Sequence, residues 1–276
     1  MNKLITTIAA TASFAVTSVA LPATANAGAV LDEVLQTKTL TAAVGTDWGK
    51  MAFLNDQKQL DGFDIEVVKS IAKGLGVQAK FVTPSWDVIA AGKWQGRWDM
   101  TTWMTPTKAR AEKFDFPAVY INDEVLGAVH KDSKVTKLSE LEGKVVGVAS
   151  GTAAEQYVNH KLAPDWIGAK PVEYAFKPGE VKTYASSNVA FDDLRLGDGV
   201  RLDAVLGDGS LVQDAIKAGY PLKEVGVAFD TPAALAIAPG DKEFNAKIAA
   251  IVQGMKDDGS LSKLSIKWFG VDRSAK

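Results

Sequence analysis

From about residue 40 onward the chain alternates short β-branched runs with amphipathic runs at helical spacing, and few architectures accommodate that alternation. "LTAAVGT" (40–46) reads as a buried strand that stops at a glycine. In "GFDIEVVKSIAKGLG" (62–76), Ile65, Val68, Ile71, Ala72 and Leu75 recur at helical spacing, and Gly74 and Gly76 mark the end. "AKFVT" (79–83) is the next strand, and "WDVIAAGKWQGRW" (86–98) a short helix broken at Gly92 or Gly96. Strands follow at "DEVLGAVHKD" (123–132) and "KVVGVAS" (144–150), then a helix entered through glycine, "GTAAEQYVNHKL" (151–162). "AVLGD" (204–208) leads into the helix "GSLVQDAIKAG" (209–219), and the strand "AALAIAP" (233–239) precedes a long amphipathic helix, "DKEFNAKIAAIVQGMKDDG" (241–259). This predicts α/β layers on a mainly parallel sheet. The pattern restarts at Lys144, which suggests two similar lobes. Ligands of such sheets sit beyond the carboxyl ends of strands, so the loops that follow strands are where function is expected.

Residues 1–27 read differently. Lys3 is a positive start, "LITTIAATASFAVTSVAL" an apolar small-residue run, and Ala25-Asn26-Ala27 a cleavage site before Gly28. This predicts a secretory signal peptide, an exported protein and a periplasmic location. Without Lys3 the balance is 30 basic against 33 acidic groups, a formal charge of −3, which gives no basic surface for nucleic acid or an anionic membrane. Zero cysteines exclude disulfides, thiol chemistry and lipid attachment at a cysteine. Two histidines, His130 and His160, without cysteine argue against a zinc site, and neither a metal nor a cofactor is expected. There is no G-x-S-x-G elbow, Walker A loop or G-x-G-x-x-G, so nucleophilic or metal-dependent catalysis has no support.

Binding elements are more evident. "TTWMTPTKARAEKFDFP" (101–117) places Arg110 three residues past Thr107, a candidate helix N-cap. Arg110 is either a carboxylate ligand beside free helix N–H groups or a solvated charge laddered with Glu112, Lys113 and Asp115. Asp208 follows a strand and precedes a helix, as a cap or as a carboxylate aimed at a cation. "ASGTAAE" (149–155) is either an anion-binding turn or a tight turn requiring glycine. Seven tryptophans are present. Trp48, Trp86 and Trp103 fall after strands or in loops, whereas Trp94, Trp98 and Trp268 fit packing surfaces.

In this order, "GFDIEVVKSIAKGLG", "MTPTKARAEKFDF", "GKVVGVASGTAAEQY", "RLDAVLGD" and "KDDGSLSKLSIKWFG" resemble segments of the polar amino-acid family of periplasmic solute-binding proteins, which serve ATP-driven importers. The resemblance implies a two-lobed α/β "Venus flytrap" fold with two hinge strands near Tyr120–Glu124 and Asp230–Leu235. Lobe 1 would comprise residues 28–121 and 233–276, and lobe 2 residues 122–232. It also implies capture of an amino acid or similar zwitterion, delivery to the membrane permease of an ABC importer, and a monomer. By match to the family, Arg110 would bind the α-carboxylate, with Thr105 and the amides around Gly151, Thr152 and Ala153. Asp208 and the carbonyl at Trp103 would meet the α-ammonium. Trp86 would stack on the side chain, with Asp47 and Trp48 near it. Lys50 stands where many members carry an aromatic lid, and Trp103 replaces a small residue. The alternatives on this fold are an enzyme resembling cyclohexadienyl dehydratases, or a ligand-sensing lobe for a membrane receptor.

Overall fold

The computed structural model describes residues 28–275, so the expected signal peptide lies outside the described residues. Helix α1 (Ala29–Thr37) leads into β1 (Thr39–Ala43), and the short hairpin of β2 (Phe53–Leu54) and β3 (Leu60–Asp61) precedes α2 (Phe63–Leu75). Helix α2 buries Ile65, Val68, Ile71 and Ala72, the stripe read from the sequence, and stops at Gly76, whose left-handed backbone returns its N–H to the carbonyls of Ala72 and Lys73. Strand β4 (Gln78–Val82), α3 (Trp86–Ala90), β5 (Met100–Met104) and α4 (Lys108–Ala111) complete the first βαβαβ unit.

A long strand, β6 (Val119–His130), then enters a second unit of the same order. It contains β7 (Val145–Ala149), α5 (Ala153–Val158), β8 (Glu180–Tyr184), α6 (Ser187–Leu194), β9 (Ala204–Asp208) and α7 (Gly209–Lys217). Strand β10 (Leu222–Ile237) returns to the first unit, where α8 (Lys242–Asp257) and α9 (Ser260–Phe269) close the chain. Among the described residues no helix is long and apolar enough to cross a membrane.

One eight-stranded sheet runs β4-β1-β5-β10-β6-β9-β7-β8. In each half the first strand lies between the second and the third, all parallel. β6 and β10 run antiparallel between the halves, from Leu222 opposite His130 to Ala234 opposite Val119, with register shifts that bend the ladder. The apolar core divides at the same place. One cluster draws on residues 31–121 and 233–261, and two others draw only on residues 125–225.

The halves share a polar staple. Asp99, just before β5, accepts the Thr41 N–H through Oδ2 (2.7 Å) and gives its own N–H to the Thr41 carbonyl (2.9 Å). Asp203, just before β9, does the same to Val145 (2.8 and 2.9 Å), and both pairs are separated by 58 residues. Each staple fixes the first strand against the third, and so fixes the loops at their carboxyl ends.

Several boundaries differ from the sequence reading. The helix expected over 86–98 ends at Ala90, and the chain turns at Gly92 and Gly96, both with positive φ. The helix expected over 151–162 covers only Ala153–Val158, because Thr152 caps it and His160 takes a positive φ. The strands expected at 123–132 and 233–239 belong to the longer β6 and β10. Strands β5 and β8 were not anticipated: β5 begins "MTTW" and β8 reads "EVKTY", without long apolar runs.

Asp99→Ala and Asp203→Ala should each cost about 1–3 kcal/mol, because each strands a strand-edge N–H in a part-buried setting. Urea denaturation checks this. Losses below about 0.5 kcal/mol, the range of an unremarkable surface change, would mean that the staples do not hold the strands.

Candidate functional site

Three loops of each half converge on one cavity of about 430 Å³. The first half supplies Gly45 to Trp48 after β1, Thr83 to Trp86 after β4, and Trp103, Thr105 and Arg110 at and after β5. The second supplies Ala149, Thr152 and Ala153 after β7, Ala185 to Ser187 after β8, and Asp208 and Leu211 at and after β9. These are the carboxyl ends of strands, where the alternation placed the function.

Arg110 is not a solvated charge. It is 5 % exposed, and its guanidinium donates to the Thr105 carbonyl through Nη1 and to the Gly151 carbonyl through Nη2, each at 2.8 Å. Its Cζ lies 5.4 Å from the centre of the Trp86 ring. These two bonds leave part of the guanidinium fork for the cavity it lines. Burial lowers the Arg110 pKa to about 10, with Asp208 opposing the shift. Thr107 stands at the N-cap of α4, but its hydroxyl makes no capping bond.

Asp208 occupies the N-cap position of α7 without capping it. The carboxylate lines the cavity instead, and no ion pair joins it to Arg110 among the described residues. Burial pushes its pKa up to about 7, the nearby Asp123 adds to the rise, and Arg110 opposes it. The cavity therefore holds a guanidinium and a carboxyl that do not pair with each other directly.

Thr152 caps α5, accepting the Glu155 N–H (3.2 Å) and donating to the Ala149 carbonyl (2.7 Å). At the start of that helix the N–H groups of Thr152 and Ala153 have no intrahelical acceptor. The Thr105 hydroxyl, expected to reach a ligand, pairs with the Thr231 hydroxyl at 2.6 Å. Gly151 departs from the expectation as well. Its N–H goes to Glu155 Oε2 (2.7 Å) and its carbonyl to Arg110. It lines a separate depression of about 340 Å³ on the other side of Arg110, so its contribution here is to hold the arginine. Asp47 is exposed at the rim, and its carbonyl accepts the Asn188 amide across the cleft (3.0 Å).

Trp48, Trp86 and Trp103 form one cluster. Trp48 lies edge-on to Trp86 (centroids 5.6 Å apart, 78°) and to Trp103 (5.7 Å, 60°). A Cβ on Gly45 would stand 2.2 Å from Trp48 Nε1, so only glycine lets the indole lie against the loop. The Trp86 N–H is buried beside Gly151 without a protein acceptor among the described residues. Lys50 does not line the cavity; its carbonyl accepts the Phe63 N–H. Trp94 and Trp98 are buried in the first core, as the packing-surface reading expects.

A model of the bacterial extracellular solute-binding proteins, family 3, matches residues 40–271. The chain belongs to this family. Among its relatives, the L-cystine-binding protein TcyJ of Escherichia coli K12 is 29 % identical over 248 residues, covering 88 % of this chain and 87 % of that one. ABC transporter arginine-binding protein 1 of the same strain is 26 % identical over 223 residues, 76 % of this chain and 82 % of that one. A solved ancestral arginine-binding protein bound to arginine is 30 % identical, superposes with a TM-score of 0.73, and covers 84 % of this chain and 99 % of its own. The family thus gives the two-lobed fold, and these named relatives are binding proteins rather than enzymes.

Sequence reading missed the serines at 186 and 187, the Asn188 bridge and Thr231. Ser186-Ser187-Asn188 carries an N-cap signal at the head of a helix and was discoverable. Thr231 lies inside a long strand and carries no local signal.

Two outcomes are expected. Asp208 and the buried Asp64 both have pKa values raised to about 7 by burial. Between the ordinary carboxylate range and 7 the folded chain holds protons that the unfolded chain has released, so stability falls as pH rises through 7. Thermal melts of the ligand-free protein from pH 5 to 8 should show that decline, and Asp208→Asn should make it shallower while the Asp64 share remains; identical slopes in both proteins would contradict the assignment. Gly45→Ala should expel the Trp48 ring and reduce the near-ultraviolet circular dichroism of the tryptophan cluster, and an unchanged spectrum would count against the close approach.

Proposed function

We propose that the protein captures an amino acid or a closely related zwitterion in this cavity and delivers it to the permease of an ABC importer. One observation carries the reading: Arg110 and Asp208 line one cleft cavity without forming an ion pair with each other. A zwitterion removed from water needs an opposite charge and hydrogen bonds at each end. Arg110 meets the carboxylate with the remainder of its fork, helped by the Thr152 and Ala153 amides. Asp208 meets the ammonium, helped by the Trp103 carbonyl. Trp86 and Trp48 wall the side chain, with Trp48 taking the lid position that Lys50 leaves open, and Asp47 faces the outer end. The relatives named for cystine and arginine support the same ligand class.

Residues 28–121 with 233–276 are assigned to one lobe and 122–232 to the other, joined near Tyr120–Glu124 and Asp230–Leu235. The protein acts as a monomer, exported by a cleaved signal peptide to the periplasm. Ligand draws the lobes together only through its extra affinity for the closed form, and contacts from both lobes supply that difference.

Calorimetric titration with the twenty amino acids and L-cystine tests the reading, and binding by none of them would sink it. In the ligand that binds, Arg110→Ala should weaken affinity by about 2–5 kcal/mol, roughly 30- to several thousand-fold. It should also lower stability, since the Thr105 and Gly151 carbonyls lose their donor. Asp208→Asn should weaken ligands with a free α-ammonium far more than analogues lacking it. Equal losses for both would assign Asp208 another role.

A further inference from the structure

Trp103 is a bulky residue held where L-residues rarely stay: its φ is +52° inside a strand, and no other residue of β5 has a positive φ. That conformation puts its indole against Trp48 in the cavity wall. A strained position persists only where its surroundings over-determine it. The surroundings are a buried chain of two hydrogen bonds. The Trp103 N–H donates to the Tyr120 hydroxyl (3.0 Å), and the Tyr120 O–H donates to Asp64 Oδ1 (2.6 Å). Tyr120 and Asp64 are both fully buried.

The head of α2 grips Tyr120 on two sides. Phe63 stacks on its ring (5.8 Å, 7°) while Asp64 accepts its proton donor. Gly62 makes this placement possible, because a Cβ there would lie 2.5 Å from the Met51 carbonyl. The "GFD" segment, which the zwitterion clamp does not use, thus serves to hold Tyr120. Asp64 Oδ2 is buried without a hydrogen-bond partner among the described residues, a costly arrangement for a group that only filled space.

We propose that Tyr120 and Asp64 are positioning residues that lock Trp103 in its left-handed conformation, and that Trp103 so placed sets the size and shape of side chain the cavity accepts. The locking stands on the geometry alone; the selection of side chains rests on the amino-acid reading above. Tyr120 also belongs to β6, so the wall of the cavity is anchored to a strand that runs between the two halves.

The test uses ligand-free full chain labelled with 5-fluorotryptophan. The Trp103 fluorine resonance is identified by its loss in Trp103→Phe. Tyr120→Phe, which keeps the ring stack, and Asp64→Ala should each shift or broaden it, while the Trp94 and Trp98 resonances stay in place. Asp64→Asn keeps an acceptor oxygen for Tyr120 and should restore the parent position. A Trp103 resonance that stays put in both Tyr120→Phe and Asp64→Ala overturns the locking. Dissociation constants for the twenty amino acids and L-cystine are then compared with those of Trp103→Gly, where glycine takes the same backbone without strain. Tyr120→Phe should move the ratio between larger and smaller ligands in the same direction as Trp103→Gly, by about tenfold. Ratios equal to the parent's overturn the selective role. If no compound on the panel binds the parent, the amino-acid reading fails while the fluorine spectra still decide the locking.

Discussion

A guanidinium enclosed between two backbone carbonyls from opposite halves of the chain is the interaction on which the rest depends. Arg110 leaves a four-residue helix in the first half, and its fork takes the Thr105 carbonyl beside it and the Gly151 carbonyl across the cleft. A buried cation is tolerable only with such acceptors, since each charge-assisted bond contributes about 1.5–3 kcal/mol against desolvation. The turn at Gly151 must be in place for the cation to be satisfied, and that turn is itself fixed by Glu155 and by the start of α5. Charge, loop and cleft are therefore specified together.

Opposite this cation the chain keeps a carboxyl that its surroundings discourage from ionising. Asp208 and Arg110 share a cavity, and burial shifts both pKa values toward the neutral forms, to about 7 and about 10. A direct ion pair would relieve both and leave nothing for a ligand. Holding them apart is a cost in stability that a zwitterion can offset, the usual relation between a binding site and the fold that carries it.

The fold class was legible because strand–helix alternation and the restart at Lys144 are properties of composition along the chain, and both halves obey them. The helix over Phe63–Leu75 was legible for the same reason: its buried stripe is periodic. Strand β8 was not legible. "EVKTY" alternates weakly, and it lies at the sheet edge, where tertiary pairing with β7 and not local preference makes it a strand. Nine of the ten expected ligand residues do line one cavity: most follow strand ends that the pattern already located, whereas Trp103, Thr105 and Arg110 lie on or after the unanticipated β5 and were legible only through the family resemblance. Gly151 lies beside that lining, with its N–H taken by the carboxylate four residues on, which a sequence does not show. The Trp48–Trp86–Trp103 contacts were equally invisible, for they join a loop, the start of a helix and a strand that are separated along the chain.

The bonds that cross the cleft bear on how much a ligand has to contribute. Besides Arg110 to Gly151, the Asn188 amide reaches the Asp47 carbonyl, Lys108 N–H the Ala163 carbonyl, and Asp165 N–H the Pro106 carbonyl. All four are made by the chain alone, two of them between backbone groups. Each bond that the chain makes across the cleft without a ligand reduces the shift that a ligand has to supply through its differential affinity.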